Sequence, residues 1–283
     1  MSATLIDGKK LSLQLRGEIT VDAEKFQKEN GRKLGLAVIL VGENPASQVY
    51  VRNKVKACEE TGIASFGYYL PESSTTEEVI ELVNALNEDE RVDGLLVQLP
   101  LPKHIDEKKV LKTVSPKKDV DGFHAVNAGN LLLGNPCLPA CTPAGIMELI
   151  KTTGIDLSGK NAVVIGRSNI VGKPIALMLL EKNATVTVCH SKTANLKEKT
   201  LDADVLVVAI GRKEFVTGDM IKPGAVVIDV GMNRDNGKLY GDVNFDQAKE
   251  IASYITPVPG GVGPMTITML LKNTVKAGNF DKE

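Results

Sequence analysis

Lys54, Gln98 and Asp121 carry side chains whose types and positions could do chemistry: an amine for acid/base work, an amide and a carboxylate for holding a ligand. Lys54 follows Ser47 and Tyr50 at i, i+3 and i+7. On a helix, all three fall beside the apolar stripe Val51, Val55 and Cys58. A lysine next to such a stripe ordinarily extends its amine to water. One facing a ligand cleft is instead a candidate general acid or base, because partial desolvation disfavours the charged form. Tyr50, one turn away, offers a ring for stacking or a hydroxyl for hydrogen bonding. Gln98 closes the run Leu95-Leu-Val-Gln-Leu-Pro-Leu101, at the C-terminal end of an apolar strand, where open α/β sheets present ligand-binding groups. Its plainer reading is a structural amide bonded to loop backbone. Asp119-Val-Asp121-Gly122 reads either as an Asx turn or as a carboxylate placed to accept two parallel N–H bonds from an amidine-like edge. The later acidic ligands of a calcium loop are missing.

A second set is Gly166-Arg-Ser-Asn-Ile-Val-Gly172, between a predicted strand and a predicted helix. That is where a dinucleotide fold puts its phosphate loop, with helix amides aimed at the anion. Ser168 stands at the usual middle glycine, and Gly172 comes one residue late. The next strand ends Cys189-His190-Ser191-Lys192, without the carboxylate that ordinarily holds an NAD ribose. With Arg167 in the loop, this environment favours the 2′-phosphate of NADP. His190 and Lys192 read equally well as solvated loop residues.

The elements that must position these groups alternate in type. Strands are expected at 36–41, 65–70, 94–99, 162–165, 185–189, 205–210, 225–230 and 253–255, and helices at 46–61, 75–87, 142–151, 172–182 and 265–277. Such alternation is the pattern of βαβ units and parallel sheets. From Val120 to Thr142 the pattern dissolves into Asp, Gly, Asn and Pro, which suits loops. Thr142 is then expected to cap a helix with Pro143 at its first position. The chain therefore reads as two α/β units with a break near Thr142. Thr256-Pro-Val-Pro-Gly-Gly-Val-Gly-Pro264 lies between the last strand and the last helix. It reads as a rigid connector, or as a backbone surface that glycine allows to touch a ligand.

Composition excludes several classes. With 34 basic and 35 acidic residues, a net charge of −1 and 4% aromatics without Trp, neither a nucleic-acid surface nor a membrane anchor is expected. No apolar run reaches membrane length, and the first residues lack a signal-peptide core. The four cysteines are scattered: Cys137 and Cys141 are the one close pair, and no second Cys or His pair sits at zinc-ligand spacing, so no metal is expected and a reducing, cytoplasmic setting is.

Five motifs in order, Tyr50-Val-Arg-Asn-Lys54, Gly94-Leu-Leu-Val-Gln98-Leu-Pro-Leu-Pro102, Lys118-Asp-Val-Asp121-Gly-Phe, Gly166-Arg-Ser-Asn-Ile-Val-Gly-Lys-Pro174 and Pro257-Val-Pro-Gly-Gly-Val-Gly-Pro-Met-Thr266, cover nearly the whole chain. Through them it resembles the bifunctional methylenetetrahydrofolate dehydrogenase/methenyltetrahydrofolate cyclohydrolase family. The resemblance implies two parallel-sheet α/β domains around a cleft. Residues 1–142 with 265–283 would form the folate-binding catalytic domain, and 143–264 a Rossmann-like NADP-binding domain. It implies NADP-dependent oxidation of 5,10-methylenetetrahydrofolate, then hydrolysis to 10-formyltetrahydrofolate, within one-carbon metabolism and purine biosynthesis. By the same resemblance Lys54 is the acid/base group, Gln98 its hydrogen-bonded partner, Tyr50 a stacking surface and Asp121 the pterin anchor. Gly166, Arg167, Ser168, Gly172, Ser191 and Met232 are expected around NADP, and Pro259, Gly260 and Gly261 against the folate. A homodimer paired through the cofactor domains is also implied. Two rivals remain open here: a shikimate-dehydrogenase-like oxidoreductase, which needs neither Tyr50 stacking nor an Asp121 anchor, and a non-catalytic NADP sensor.

Overall fold

The computed structural model describes residues 2–280, except the side chain of Ala46. The chain divides into two compact units. The first holds the residues up to Leu13 and Thr142–Thr266; the second holds Gln14–Cys141 and the residues from Ile267. The opening residues thus belong with Thr142–Thr266, whereas the sequence placed 1–142 together. Strand pairing is the cause: β1 (Thr4–Leu5) joins β11 (Tyr254–Ile255) in parallel.

In the second unit, β2 (Gly35–Val41) lies between β3 (Ala64–Leu70) and β4 (Gly94–Val97) in a parallel sheet of order β3-β2-β4. Every residue of β2 and β4 is buried, as expected of strands covered on both faces. The start of β4 is pinned by Asp93, whose carboxylate accepts both Arg32 Nη atoms at 2.7 and 2.8 Å and Gly35 N at 2.8 Å. Its far end delivers Gln98. Helix α2 (Pro45–Glu60) links β2 to β3, and α3 (Thr76–Glu88) links β3 to β4. Thr75 and Glu78 close a reciprocal capping box at the start of α3, as the sequence signalled. Helix α4 (Glu107–Thr113) precedes the Asp121 loop.

In the first unit, six parallel strands run in the order β1-β11-β8-β7-β5-β6. The remaining four are β5 (Asn161–Ile165), β6 (Thr185–Cys189), β7 (Val205–Val208) and β8 (Val226–Asp229). The order reverses around β5, the switch point at which open α/β sheets bind ligands. Helix α7 (Gly172–Glu181) follows β5, α8 (Leu196–Leu201) follows β6, and α9 (Phe245–Ala248) precedes β11.

Several expectations need correction. Helix α1 (Gly8–Asn30) was not expected at all; its buried apolar stripe, Leu15, Ile19, Ala23 and Phe26, is narrow and otherwise surrounded by charge. The stretch 120–142, expected as loops, contains α5 (Ala125–Leu133). Its loop-like residues act as local bonds: His124 Nδ1 accepts Val126 N, and Gly134 ends the helix in the left-handed region at φ 71°. Helix α6 (Cys141–Lys151) already includes Thr142, so that residue is not its cap. Helix α10 (Val262–Gly278) begins inside the Pro/Gly stretch, with Pro264 in its first turn, where proline's missing N–H costs nothing. A hairpin, β9 (Asn233–Asp235) with β10 (Lys238–Tyr240), turns on Asn236-Gly237, both at positive φ. That dipeptide is a strong hairpin signal. Among the described residues, no helix is long and apolar enough to cross a membrane.

Candidate active site and dinucleotide pocket

On α2, Ser47, Val51, Lys54 and Cys58 are all buried, so the helix turns this face inward. Lys54 does not reach for water: it is 6% exposed. Its Nζ donates to Gln98 Oε1 at 3.0 Å. Gln98 is itself oriented by donating Nε2 to Leu99 O at 2.7 Å. That second bond fixes which end of the amide faces the lysine. The structural and the functional readings of Gln98 therefore hold together: one end bonds loop backbone and the other meets the amine. Tyr50 lies on the same helix, half-buried.

Asp121 and Asp119 separate the two readings of their motif. The Asp119 carboxylate accepts Phe123 N, His124 N and Asn127 Nδ2 at 3.2, 2.8 and 2.9 Å, so it is the turn-forming residue. Asn273 on α10 braces the same loop, donating to Val120 O and Pro139 O at 2.8 Å. Gly122 is required at φ 74°, and a Cβ there would overlap Pro139 and Ala140 backbone. Held on both sides, Asp121 presents a carboxylate that takes no hydrogen bond among the described residues, though it is not fully covered. Burial pushes its carboxyl up to about 6; the nearby Lys54 charge opposes the rise and Asp119 adds to it. Lys54, Gln98 and Asp121 thus form one set: an enclosed amine, an oriented amide and an unsatisfied acid.

In the other unit, a cavity of about 520 Å³ opens at the C-terminal ends of β5, β6 and β7. Gly166, Arg167 and Ser191 line it, as expected; Ser168, Gly172 and Met232 are not among its lining residues. The loop folds back so tightly that a Cβ on Gly166 would overlap Ala209 O, and one on Gly172 would overlap Gly166 O. Ser168 turns to the helix: its Oγ accepts Val171 N at 3.2 Å and Gly172 N at 3.3 Å. The chain itself thereby occupies amides that the sequence aimed at a phosphate. Sequence reasoning missed Thr193, Leu196, Ile210, Arg212 and Phe215 on the cavity wall. The Gly211 that closes the third strand was the available signal, since pocket loops follow strand ends. Arg167, Arg212 and His190 line the cavity and no carboxylate does. This charge set and the glycine-only loop fit NADP, with the arginines suited to its 2′-phosphate.

Pro259, Gly260 and Gly261 lie in this same unit. Gly260, at φ 109°, has its carbonyl accept Lys9 N at 3.1 Å, and a Cβ on Gly261 would come within 2.7 Å of Pro257 O. Both glycines are needed by the local backbone. Valine at either position is therefore expected to disturb folding as well as any binding.

The chain matches two family models, the tetrahydrofolate dehydrogenase/cyclohydrolase catalytic domain over residues 6–121 and its NAD(P)-binding domain over residues 140–282. The bifunctional protein FolD of Acetivibrio thermocellus is 60% identical over 281 residues, covering 99% of this chain and 98% of that protein. The crystal structure of bifunctional FolD, methylenetetrahydrofolate dehydrogenase/cyclohydrolase, from Campylobacter jejuni superposes with a TM-score of 0.96 at 52% identity, covering 99% of this chain and 100% of that one. A Trypanosoma brucei methylenetetrahydrofolate dehydrogenase-cyclohydrolase, solved with NADP cofactor and inhibitor, gives 0.96 at 40% identity and covers 100% and 99%. A shikimate dehydrogenase from Aquifex aeolicus shares the fold alone, at TM-score 0.51 and 15% identity.

The raised carboxyl of Asp121 has a consequence for stability. Its folded value of about 6 lies above the ordinary 3.8, so the folded state binds the proton more tightly than the unfolded chain. That contribution is full below about pH 4 and lost as pH rises through about 6. Asp121→Asn should therefore be more stable than wild type at pH 7, by about 2 kcal/mol given the residue's partial exposure, and the gap should close by pH 4. Urea midpoints of both proteins across this range measure it; a gap independent of pH would contradict the assignment.

Proposed function

The chain belongs to the tetrahydrofolate dehydrogenase/cyclohydrolase family, and from that premise we propose how its residues divide the work. The protein is a bifunctional one-carbon folate enzyme. It oxidises 5,10-methylenetetrahydrofolate to the 5,10-methenyl form with NADP, then hydrolyses that product to 10-formyltetrahydrofolate. The observation that carries the residue assignment is the enclosed Lys54 amine held 3.0 Å from Gln98 Oε1.

Asp121 anchors the pterin. Its carboxylate accepts two adjacent N–H donors of the ring edge, filling the hydrogen-bonding capacity that the fold leaves open. Tyr50 stacks on the aminobenzoate ring. When bound, NADP supplies the hydride acceptor for the first step. In the second step, Lys54 takes a proton from the attacking water as oxygen bonds to the methenyl carbon. It returns that proton to N5 as the carbon–N5 bond breaks; the hydroxyl proton leaves to solvent as the carbonyl forms, and the formyl group stays on N10. Gln98 holds the amine on the reacting carbon through both transfers. A group that gives back what it takes ends each cycle unchanged.

The sensor reading keeps no support beside relatives 60% identical that are named bifunctional, and the shikimate-like reading rests on fold alone. We place the protein in the cytoplasm, in a route supplying formyl groups to purine biosynthesis; its four buried cysteines, none in a disulfide among the described residues, suit a reducing compartment. A homodimer is proposed through β6, an edge strand of the six-stranded sheet with Thr185, Thr187 and Val188 exposed. Sedimentation should give twice the 30.3 kDa chain mass, and a monomer at micromolar concentration would remove this proposal.

For the reaction, methylenetetrahydrofolate and NADP mixed with enzyme should yield NADPH together with transient methenyl absorbance that then decays. No reduced nucleotide with either NADP or NAD would overturn the dehydrogenase assignment. A clear preference for NAD would overturn the role given to Arg167 and Arg212.

A further inference from the structure

Two buried carboxylates, Asp229 and Asp242, take no part in the proton chemistry above. Asp229 is 3% exposed and Asp242 is 0% exposed. Among the described residues, neither has a lysine, arginine or histidine side chain in its hydrogen-bonding set. A buried, unpaired carboxylate is costly unless dipoles surround it. Here the compensation comes almost wholly from backbone amides, and those of Asp242 form a wall of the dinucleotide cavity.

Asp242 Oδ2 accepts Ile210 N at 2.7 Å and Gly211 N at 2.9 Å. Its Oδ1 accepts Arg212 N at 2.8 Å and Asn233 Nδ2 at 2.9 Å. Three successive amides of one loop therefore converge on one side chain some thirty residues later in the chain. Ile210 and Arg212 both line the cavity. Asp229 stands behind this arrangement, accepting Asp242 N at 2.8 Å, Val243 N at 2.9 Å and Gly231 N at 2.9 Å. The two glycines beside the acids are obligatory: a Cβ on Gly241 would overlap the Asp229 carboxylate, and one on Gly231 would overlap Asp242. Met232, expected near NADP from the sequence, projects from the same braced segment.

We propose that Asp242 is the positioning residue of the dinucleotide pocket: it fixes the 210–212 wall, with Arg212 on it, and so sets NADP affinity without touching the nucleotide. This rests on the NADP-dependent function given above. Only a carboxylate suits the position. An asparagine, turned either way, would aim its NH₂ at two donors and leave buried N–H groups unpaired. Lys54, Gln98 and Asp121 lie in the other unit, so hydrolysis of the methenyl substrate does not depend on this wall.

The test uses full-length Asp242→Asn and Asn233→Ala, titrated with NADPH and followed by nucleotide fluorescence, alongside hydrolysis of methenyltetrahydrofolate without nucleotide. Asp242→Asn should weaken NADPH binding at least about tenfold, and Asn233→Ala by a smaller factor of about three, because it removes one of four bonds. Both should hydrolyse within about twofold of wild type, the background rate scatter expected of a change remote from the reacting carbon. Unchanged NADPH binding in Asp242→Asn would overturn the proposal, as would equal losses of binding and hydrolysis. Should Asp242→Asn fail to fold, unchanged binding by Asn233→Ala would overturn it. Wild-type protein that neither binds NADPH nor hydrolyses methenyltetrahydrofolate would instead refute the enzyme assignment.

Discussion

The Lys54 amine is kept from water, and the surrounding elements are arranged to keep it so. At 6% exposure the Lys54 side chain has lost nearly all its solvation, and its hydrogen bond goes to a neutral amide, Gln98. Its partner is a neutral amide and not a carboxylate, so among the described residues no salt bridge ties the amine down. The remaining geometry follows from that need. Strand β4 has to end just before Gln98, which requires its start to be fixed, and the Asp93–Arg32 pair with Gly35 does this. Helix α2 has to turn its Ser47–Val51–Lys54–Cys58 face inward rather than to solvent.

Acidic groups are used in two different ways. Asp119, Asp229 and Asp242 are filled with hydrogen bonds from their own chain, and their work is to hold backbone. Asp121 is left unfilled, and burial raises it to about 6. An unsatisfied polar group is a candidate ligand contact, and Asp121 is proposed above as one. The contrast between Asp119 and Asp121, two residues apart, is the clearest case of it in this protein.

Much of this was legible in the sequence, for identifiable reasons. The apolar strands and the Thr75–Glu78 box follow from local pattern, and the Tyr50–Lys54 spacing places both residues on one helix. Arg167 and Ser191 line the cavity because they follow the ends of β5 and β6, where open α/β sheets place pocket residues. What escaped depends on long-range pairing. The residues up to Leu13 join the dinucleotide unit because β1 pairs with a strand some 250 residues later. Helix α5 escaped for a nearer reason: its polar residues bond within the surrounding loops, as Asn127 does with Asp119 eight residues earlier. Ser168 looked like part of a phosphate loop, yet its hydroxyl serves the helix amides. Asp242 carried no signal, since its three amides lie about thirty residues earlier.

The most direct test of the central claim is nucleotide-free hydrolysis of 5,10-methenyltetrahydrofolate by Lys54→Met, with folate binding measured on the same protein. Methionine keeps the buried, unbranched stem and removes only the amine. Hydrolysis should fall by at least about a hundredfold while folate still binds. Hydrolysis within twofold of wild type would remove Lys54 from the proton transfer, and the reading of the site with it.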